Sequence, residues 1–299
     1  MSIQNFLVSR AIKTATKASL KFTPEQRLKR SRKFMAANNS NVPDNITVQP
    51  KTIAGVKVEW VMPDQLVKDK LAKICLYFHG GGYISGGMNS HRDMACYLAK
   101  KANIKMLMVD YRLAPEYPYP AAHDDALAVY NAILAQGINS QNITIGGDSA
   151  GANLALATLQ SIRDKNLSAP AKAILYSPWV DLTHTNSSYL RNEKKDVMLN
   201  TQILTEAAEF YAQKFDVNNE KISPLFAPMN NLPPMQIYVS KIEVLVDDAK
   251  QLHEKLISAG VKSEYLEWRS TPHAFPIFCR IIPEGKKALN KSAKFINSH

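Results

Sequence analysis

Three cysteines among 299 residues are too few for a disulfide framework. Cys75, Cys96 and Cys279 are widely spaced, and each sits in an apolar context (Ile74-Cys75-Leu76, Ala95-Cys96-Tyr97, Phe278-Cys279), the pattern of reduced core thiols in a cytoplasmic protein. No segment is apolar for long enough to span a bilayer, which excludes stable membrane insertion. Near the N-terminus the longest apolar run is Phe6-Leu7-Val8, and Arg10, Lys13, Lys17 and Lys21 follow, so no secretory signal is expected. Internal repeats and low-complexity tracts are also absent, which argues against an array or a disordered chain.

Acidic residues are the scarcer sign of charge: 26 against 37 basic, a net charge of +11. An excess of this kind can serve nucleic acid or an anionic membrane. The basic residues read as scattered and no nucleic-acid motif accompanies them, so a lysine-rich solvated surface is expected and no nucleic-acid partner. The densest cluster, Lys29-Arg30-Ser31-Arg32-Lys33, falls on one predicted helix and resembles a localisation signal by composition alone. Residues 1 to 22 contain no acidic residue and look amphipathic, as a capping helix or a peripheral membrane contact would. A hydrophobic share of 45% is ample for a packed core, in one α/β domain with an added lobe.

From residue 46 onward, short β-branched or apolar runs alternate with helical stretches, the signature of a mostly parallel sheet with helices on both faces. The expected strands are Ile46 to Thr52, Val56 to Met62, Ile74 to Phe78, Met106 to Asp110, Ile143 to Ile145, Ala173 to Tyr176, Gln236 to Val239 and Glu264 to Trp268. The first two, joined by Ala54-Gly55, read as an antiparallel hairpin at one edge. Helices are expected at about 90 to 102, 122 to 136, 150 to 165, 245 to 259 and 283 to 297. Residues 1–45 and 181–231 break the alternation. The second is too long for a plain loop and holds one plausible helix, Thr201 to Lys214, so the two should form a lid over a core made of 46–180 and 232–299.

Gly147-Asp148-Ser149-Ala150-Gly151 follows the fifth strand and opens a helix, the pattern of a nucleophile elbow. A sharp strand-to-helix turn would lift the Ser149 hydroxyl out of the sheet and aim the first helical amides at the same point. A hydroxyl needs a base, and histidine is the usual one near neutral pH. Chemistry in such a sheet gathers at the carboxyl ends of the strands, which selects His273 in the loop after the last strand. His123 and His253 fall inside helices, His184 lies in the insert, His91 opens a helix, His299 is terminal, and His79 precedes the nucleophile. An acid should follow the seventh strand; Glu243 is the first carboxylate there, and Asp247 is the alternative about one helical turn later. His79-Gly80-Gly81-Gly82-Tyr83 ends the third strand, and its glycines let backbone amides face a substrate. The expected oxyanion hole is the N–H groups of Gly81, Gly82 and Ala150. Tyr83, Phe210 and Tyr211 are candidate substrate-binding residues; Met198, Leu204, Phe215 and Phe226 add apolar surface to the lid.

These motifs resemble the hormone-sensitive-lipase branch of the α/β-hydrolases, which holds bacterial carboxylesterases and acetyl esterases. Asp110-Tyr111-Arg112-Leu113-Ala114-Pro115-Glu116, Tyr119-Pro120-Ala121-Ala122, Ser177-Pro178-Trp179-Val180-Asp181-Leu182 and Leu232-Pro233-Pro234 are similar to the same branch, so the resemblance runs from about residue 50 to the C-terminus. It implies an eight-stranded α/β-hydrolase fold with a helical cap. It also implies a serine carboxylesterase acting on small esters with short to medium acyl chains, with no metal and no cofactor. Where the family often carries Asp-Pro-Leu-x-Asp-Asp, this chain has Glu243-Val244-Leu245-Val246-Asp247-Asp248, which puts Glu243 in the catalytic place. An amide or N-formyl hydrolase would use the same triad. A non-catalytic receptor on this scaffold, as in plant gibberellin receptors, would have lost a catalytic residue. The eighth strand reads as an edge that could pair with a second copy.

Overall fold

The computed structural model describes residues 1–37, 42–69 and 71–298; His299 and part of the expected 1–45 cap segment lie outside that range. The basic N-terminal segment forms two helices, α1 (Ile3–Ser19) and α2 (Pro24–Ala36). Thr23 separates them: its hydroxyl accepts the Gln26 amide, the Gln26 side chain accepts the Thr23 amide, and Pro24 opens the new helix.

Eight strands follow: β1 (Ile46–Ile53), β2 (Val56–Pro63), β3 (Ile74–Phe78), β4 (Lys105–Asp110), β5 (Ile143–Asp148), β6 (Lys172–Tyr176), β7 (Met235–Ser240) and β8 (Ser263–Trp268). They form one sheet in the order β1-β2-β4-β3-β5-β6-β7-β8. β2 runs antiparallel to both β1 and β4, and every other pairing is parallel. The β1–β2 hairpin turns at Ala54 and Gly55, both at positive φ, which suits the right-handed twist of the flanking strands.

Side chains alternate across the sheet and build a core on each face. Ile74, Leu76 and Phe78 of β3 join the cluster under α4 (Ala121–Ala135), α5 (Ala150–Asp164) and α8 (Val246–Ser258). Cys75 and Tyr77 join the opposite cluster, under α3 (Met88–Ala102) and α9 (Pro283–Asn297). Burial on both faces explains why β3 reads as an uninterrupted apolar run.

After β3 the chain crosses to β4 on one side and later returns to β5 on the other, so β3 and β5 flank the point where strand order reverses. Their carboxyl ends lie side by side, with Phe78 opposite Gly147. A crevice at such a point is where an open α/β sheet takes its ligands. The connection between β6 and β7 carries α6 (Ser188–Arg191) and α7 (Thr201–Ala212). The N-terminal helices reach it: Thr16 donates to the Met198 carbonyl at 3.5 Å, Lys13 to that of Lys194 at 3.0 Å, and Arg27 pairs with Glu206.

Candidate active site

β5 ends at Asp148 and α5 starts at Ala150, so Ser149 alone makes the turn, at φ 54° and ψ −122°. That conformation is costly for a residue with a Cβ and persists only where the surroundings enforce it. Here the Ser149 amide donates to the Tyr176 carbonyl at 2.9 Å, and its carbonyl accepts the amides of Ala152 and Asn153 at 3.1 Å and Trp179 at 3.3 Å. The flanking glycines have a steric reason. A Cβ at Gly147 would land on the Gly151 carbonyl, and one at Gly151 on the Phe78 carbonyl.

The buried Asp148 carboxylate joins this turn to the glycine loop. Its Oδ1 accepts the Gly80 amide at 3.0 Å and the Tyr77 hydroxyl at 2.9 Å, while His91 Nε2 lies 3.2 Å from Oδ2. Burial pushes its proton affinity up, but His91 and Tyr77 outweigh that and hold the carboxyl below its ordinary range. Among the described residues the amides of Gly81, Gly82 and Ala150 donate no hydrogen bond. Three N–H groups at adjacent strand ends can therefore receive an anion. His79 lies flat on Tyr111, ring centroids 4.3 Å apart, and burial together with the nearby His91 lowers its pKa to about 4. It is a neutral packing residue at physiological pH.

The turn after β7 presents three carboxylates, of which one reaches the histidine. Glu243 Oε2 lies 2.6 Å from His273 Nδ1. Its other oxygen accepts the Ser240 amide at 2.7 Å and the Ser177 hydroxyl at 2.9 Å. Asp247 turns instead to Ser187, Ser188 and Arg191. Asp248 is buried against the amides of Val180 and Asp181. Burial opposes charge on the His273 ring, but the hydrogen bond and negative charge of Glu243 prevail and raise its pKa above the ordinary 6.5. The other ring nitrogen, Nε2, is buried without a hydrogen-bond partner among the described residues, so it is free to take a proton.

Three supporting residues escaped the sequence reading. Ser177, at positive φ, donates to Glu243 and accepts the Ala274 amide at 3.0 Å. Asp196, from the insert, accepts the Val244 amide at 3.0 Å along with those of Met198 and Leu199, pinning the residue beside Glu243. Burial, then the charge of Glu243, raises the Asp196 pKa to about 6. Asp148 stands inside the serine motif, yet that position fixes only the neighbouring serine. No sequence signal marks Asp196.

Of the three candidate substrate-binding residues, two form a buried stack. The rings of Tyr83 and Tyr211 are parallel with centroids 3.8 Å apart. The Tyr83 hydroxyl donates to Asn153 Oδ1 at 2.7 Å, and that of Tyr211 lies 2.8 Å from His123 Nε2. Phe210 is half-buried on α7.

A family model described as alpha/beta hydrolase fold matches residues 75–277. An acetyl-hydrolase of Streptomyces hygroscopicus is 35% identical over 263 residues, covering 88% of this chain and 86% of that protein. An esterase of Acinetobacter venetianus is 36% identical over 259 residues, 86% of this chain and 84% of its own length. Among solved structures, an esterase from the bacterial hormone-sensitive lipase family superposes with a TM-score of 0.91 at 32% identity, covering 99% of this chain and 98% of that one. The esterase EstE5, soaked with p-nitrophenyl butyrate, gives 0.89 at 36% identity over the same shares.

Proposed function

This chain belongs to the hormone-sensitive-lipase-like branch of the α/β-hydrolases and is a carboxylic ester hydrolase, and we propose that Ser149, His273 and Glu243 are its catalytic triad. The observation that carries the assignment is the 2.6 Å contact between Glu243 and His273 Nδ1, with Nε2 left free. Glu243 fixes the tautomer in which Nδ1 holds the proton and Nε2 accepts. Ser149 Oγ attacks the ester carbonyl carbon as its proton passes to Nε2. The carbonyl oxygen becomes an anion held by the amides of Gly81, Gly82 and Ala150. The carbon–oxygen bond to the alcohol then breaks and the alcohol leaves with the Nε2 proton. Water, deprotonated by His273, cleaves the acyl-serine by the same steps in reverse. Neither a metal nor a cofactor enters this sequence.

Short to medium acyl esters suit this site. α7 packs against the glycine loop, where the Ala207 methyl stands 3.1 Å from where a Gly82 Cβ would be, and the Tyr83–Tyr211 stack backs it. Hydrolysis of p-nitrophenyl esters of increasing chain length should peak between acetate and octanoate. A peak at palmitate overturns this preference.

The N-terminal helices and the β6–β7 insert serve as one cap, a reading supported by the contacts of Thr16, Lys13 and Arg27 with the insert. Light scattering tests a dimer through the β8 edge, which ends the sheet. Three free, buried cysteines suit the reducing cytoplasm. Fractionation of cells tests that location.

A further inference from the structure

α1 packs Val8 against the core yet leaves a second apolar patch on its solvent side. An amphipathic helix normally buries its apolar stripe and gives its polar side to water. Here Asn5 is 0% exposed and donates to the Ser270 carbonyl at 2.8 Å, with Val8, Ser9, Ile12 and Thr16 half-buried on the same inner side. The outer side carries Ile3, Phe6 and Leu7, exposed by 77%, 49% and 59%. Arg10 and Lys17 continue that outer stripe at helical spacing, and the exposed Lys21 follows the helix end.

Charge is concentrated in the same segment, contrary to the even scatter expected from composition. Residues 1–37 hold nine basic residues against Glu25 alone, a net +8 of the chain's +11. Arg27 and Arg32 are committed to Glu206 and Glu116. α2 repeats the combination, with Phe34 79% exposed beside Lys33. Among the described residues no helix is long and apolar enough to cross a membrane.

We propose that the outward face of α1 docks on an anionic lipid bilayer, inserting Ile3, Phe6 and Leu7 among the acyl chains while Arg10, Lys17 and Lys21 meet the headgroup phosphates. Water satisfies the cations and leaves the apolar side chains exposed. A second copy covers the apolar side chains and sets like charges against each other. An anionic bilayer satisfies both. Because Asn5 holds the Ser270 carbonyl, the docked helix adjoins the loop that carries His273.

The test is cosedimentation of the full-length protein with phosphatidylcholine vesicles, with and without phosphatidylglycerol. The protein should pellet with the anionic vesicles and stay in solution with the neutral ones. Each basic residue contributes about fivefold to partitioning, so R10E/K17E/K21E, which removes three cations and adds three anions, should lower it by at least about a hundredfold. I3S/F6S/L7S should lower it by at least about tenfold. Circular dichroism melting of both variants should stay cooperative, since the substituted side chains lie on the exposed side of the helix or just past its end. Equal pelleting with both vesicle types, or variants that pellet like the parent, overturns the proposal. So does a dimer, seen by light scattering, that I3S/F6S/L7S dissolves while vesicle binding persists. None of these readouts uses activity, so they stand apart from the ester-hydrolase reading.

Discussion

The Ser177 hydroxyl lies 2.9 Å from Glu243 Oε1 and accepts the Ala274 amide at 3.0 Å, so one side chain at the end of β6 holds both the acid and the residue after the base. Ser177→Ala removes one of two donors to that oxygen and orphans a buried N–H. The expected cost is about 1–3 kcal/mol of stability by urea denaturation. Through the loosened Glu243, kcat should fall about tenfold with KM nearly unchanged. A variant with parental kcat contradicts the positioning role.

Glu243→Gln and Asp247→Asn separate two carboxylates that the sequence leaves in competition. Gln at 243 can present its amide to His273 Nδ1 and favour the wrong tautomer, so kcat/KM should fall about 10⁴-fold. Asp247 makes its contacts to Ser187, Ser188 and Arg191, so its variant should keep activity within a few-fold and lose about 1 kcal/mol of stability. Steady-state kinetics on p-nitrophenyl butyrate decides between them; the reverse ranking reassigns the acid.

Acid should switch the enzyme off through His273. Its pKa is raised above 6.5 because Glu243 outweighs the effect of burial, and only the neutral ring can accept the serine proton. A profile of kcat/KM against pH should therefore fall on the acid side with a midpoint above 6.5. The stability contribution of this group runs the other way. The folded state holds the proton more tightly, so that contribution is complete below the unfolded value of about 6.5 and is lost as pH rises through the folded one. An acid limb centred below 6.5 contradicts the Glu243–His273 pairing in the free enzyme.

Much of the architecture could be read because apolar runs and turn residues follow local rules. β3 is Ile74–Phe78 in both the sequence reading and the structure, since burial on both faces leaves no polar interruption. β5 extends three residues beyond its expected end at Ile145. Gly146 and Gly147 weaken a strand by propensity, yet a Cβ at Gly146 would press on the Tyr77 ring at 3.1 Å, so the close packing favours a glycine there. The insert helix ends at Ala212, because Gln213 turns to positive φ. Asp196 lies 47 residues before Glu243 in sequence, and the contact that matters, to the Val244 amide, depends on how the insert folds back. Such long-range polar contacts leave no periodicity to detect.

The nucleophile is tested most directly by mass spectrometry of the intact protein after treatment with a fluorophosphonate. One adduct is expected, mapping to Ser149, and Ser149→Ala should take up none while losing about 10⁶ in kcat on p-nitrophenyl butyrate. An adduct on another residue, or a Ser149→Ala protein that still turns over the ester at the parental rate, contradicts the account.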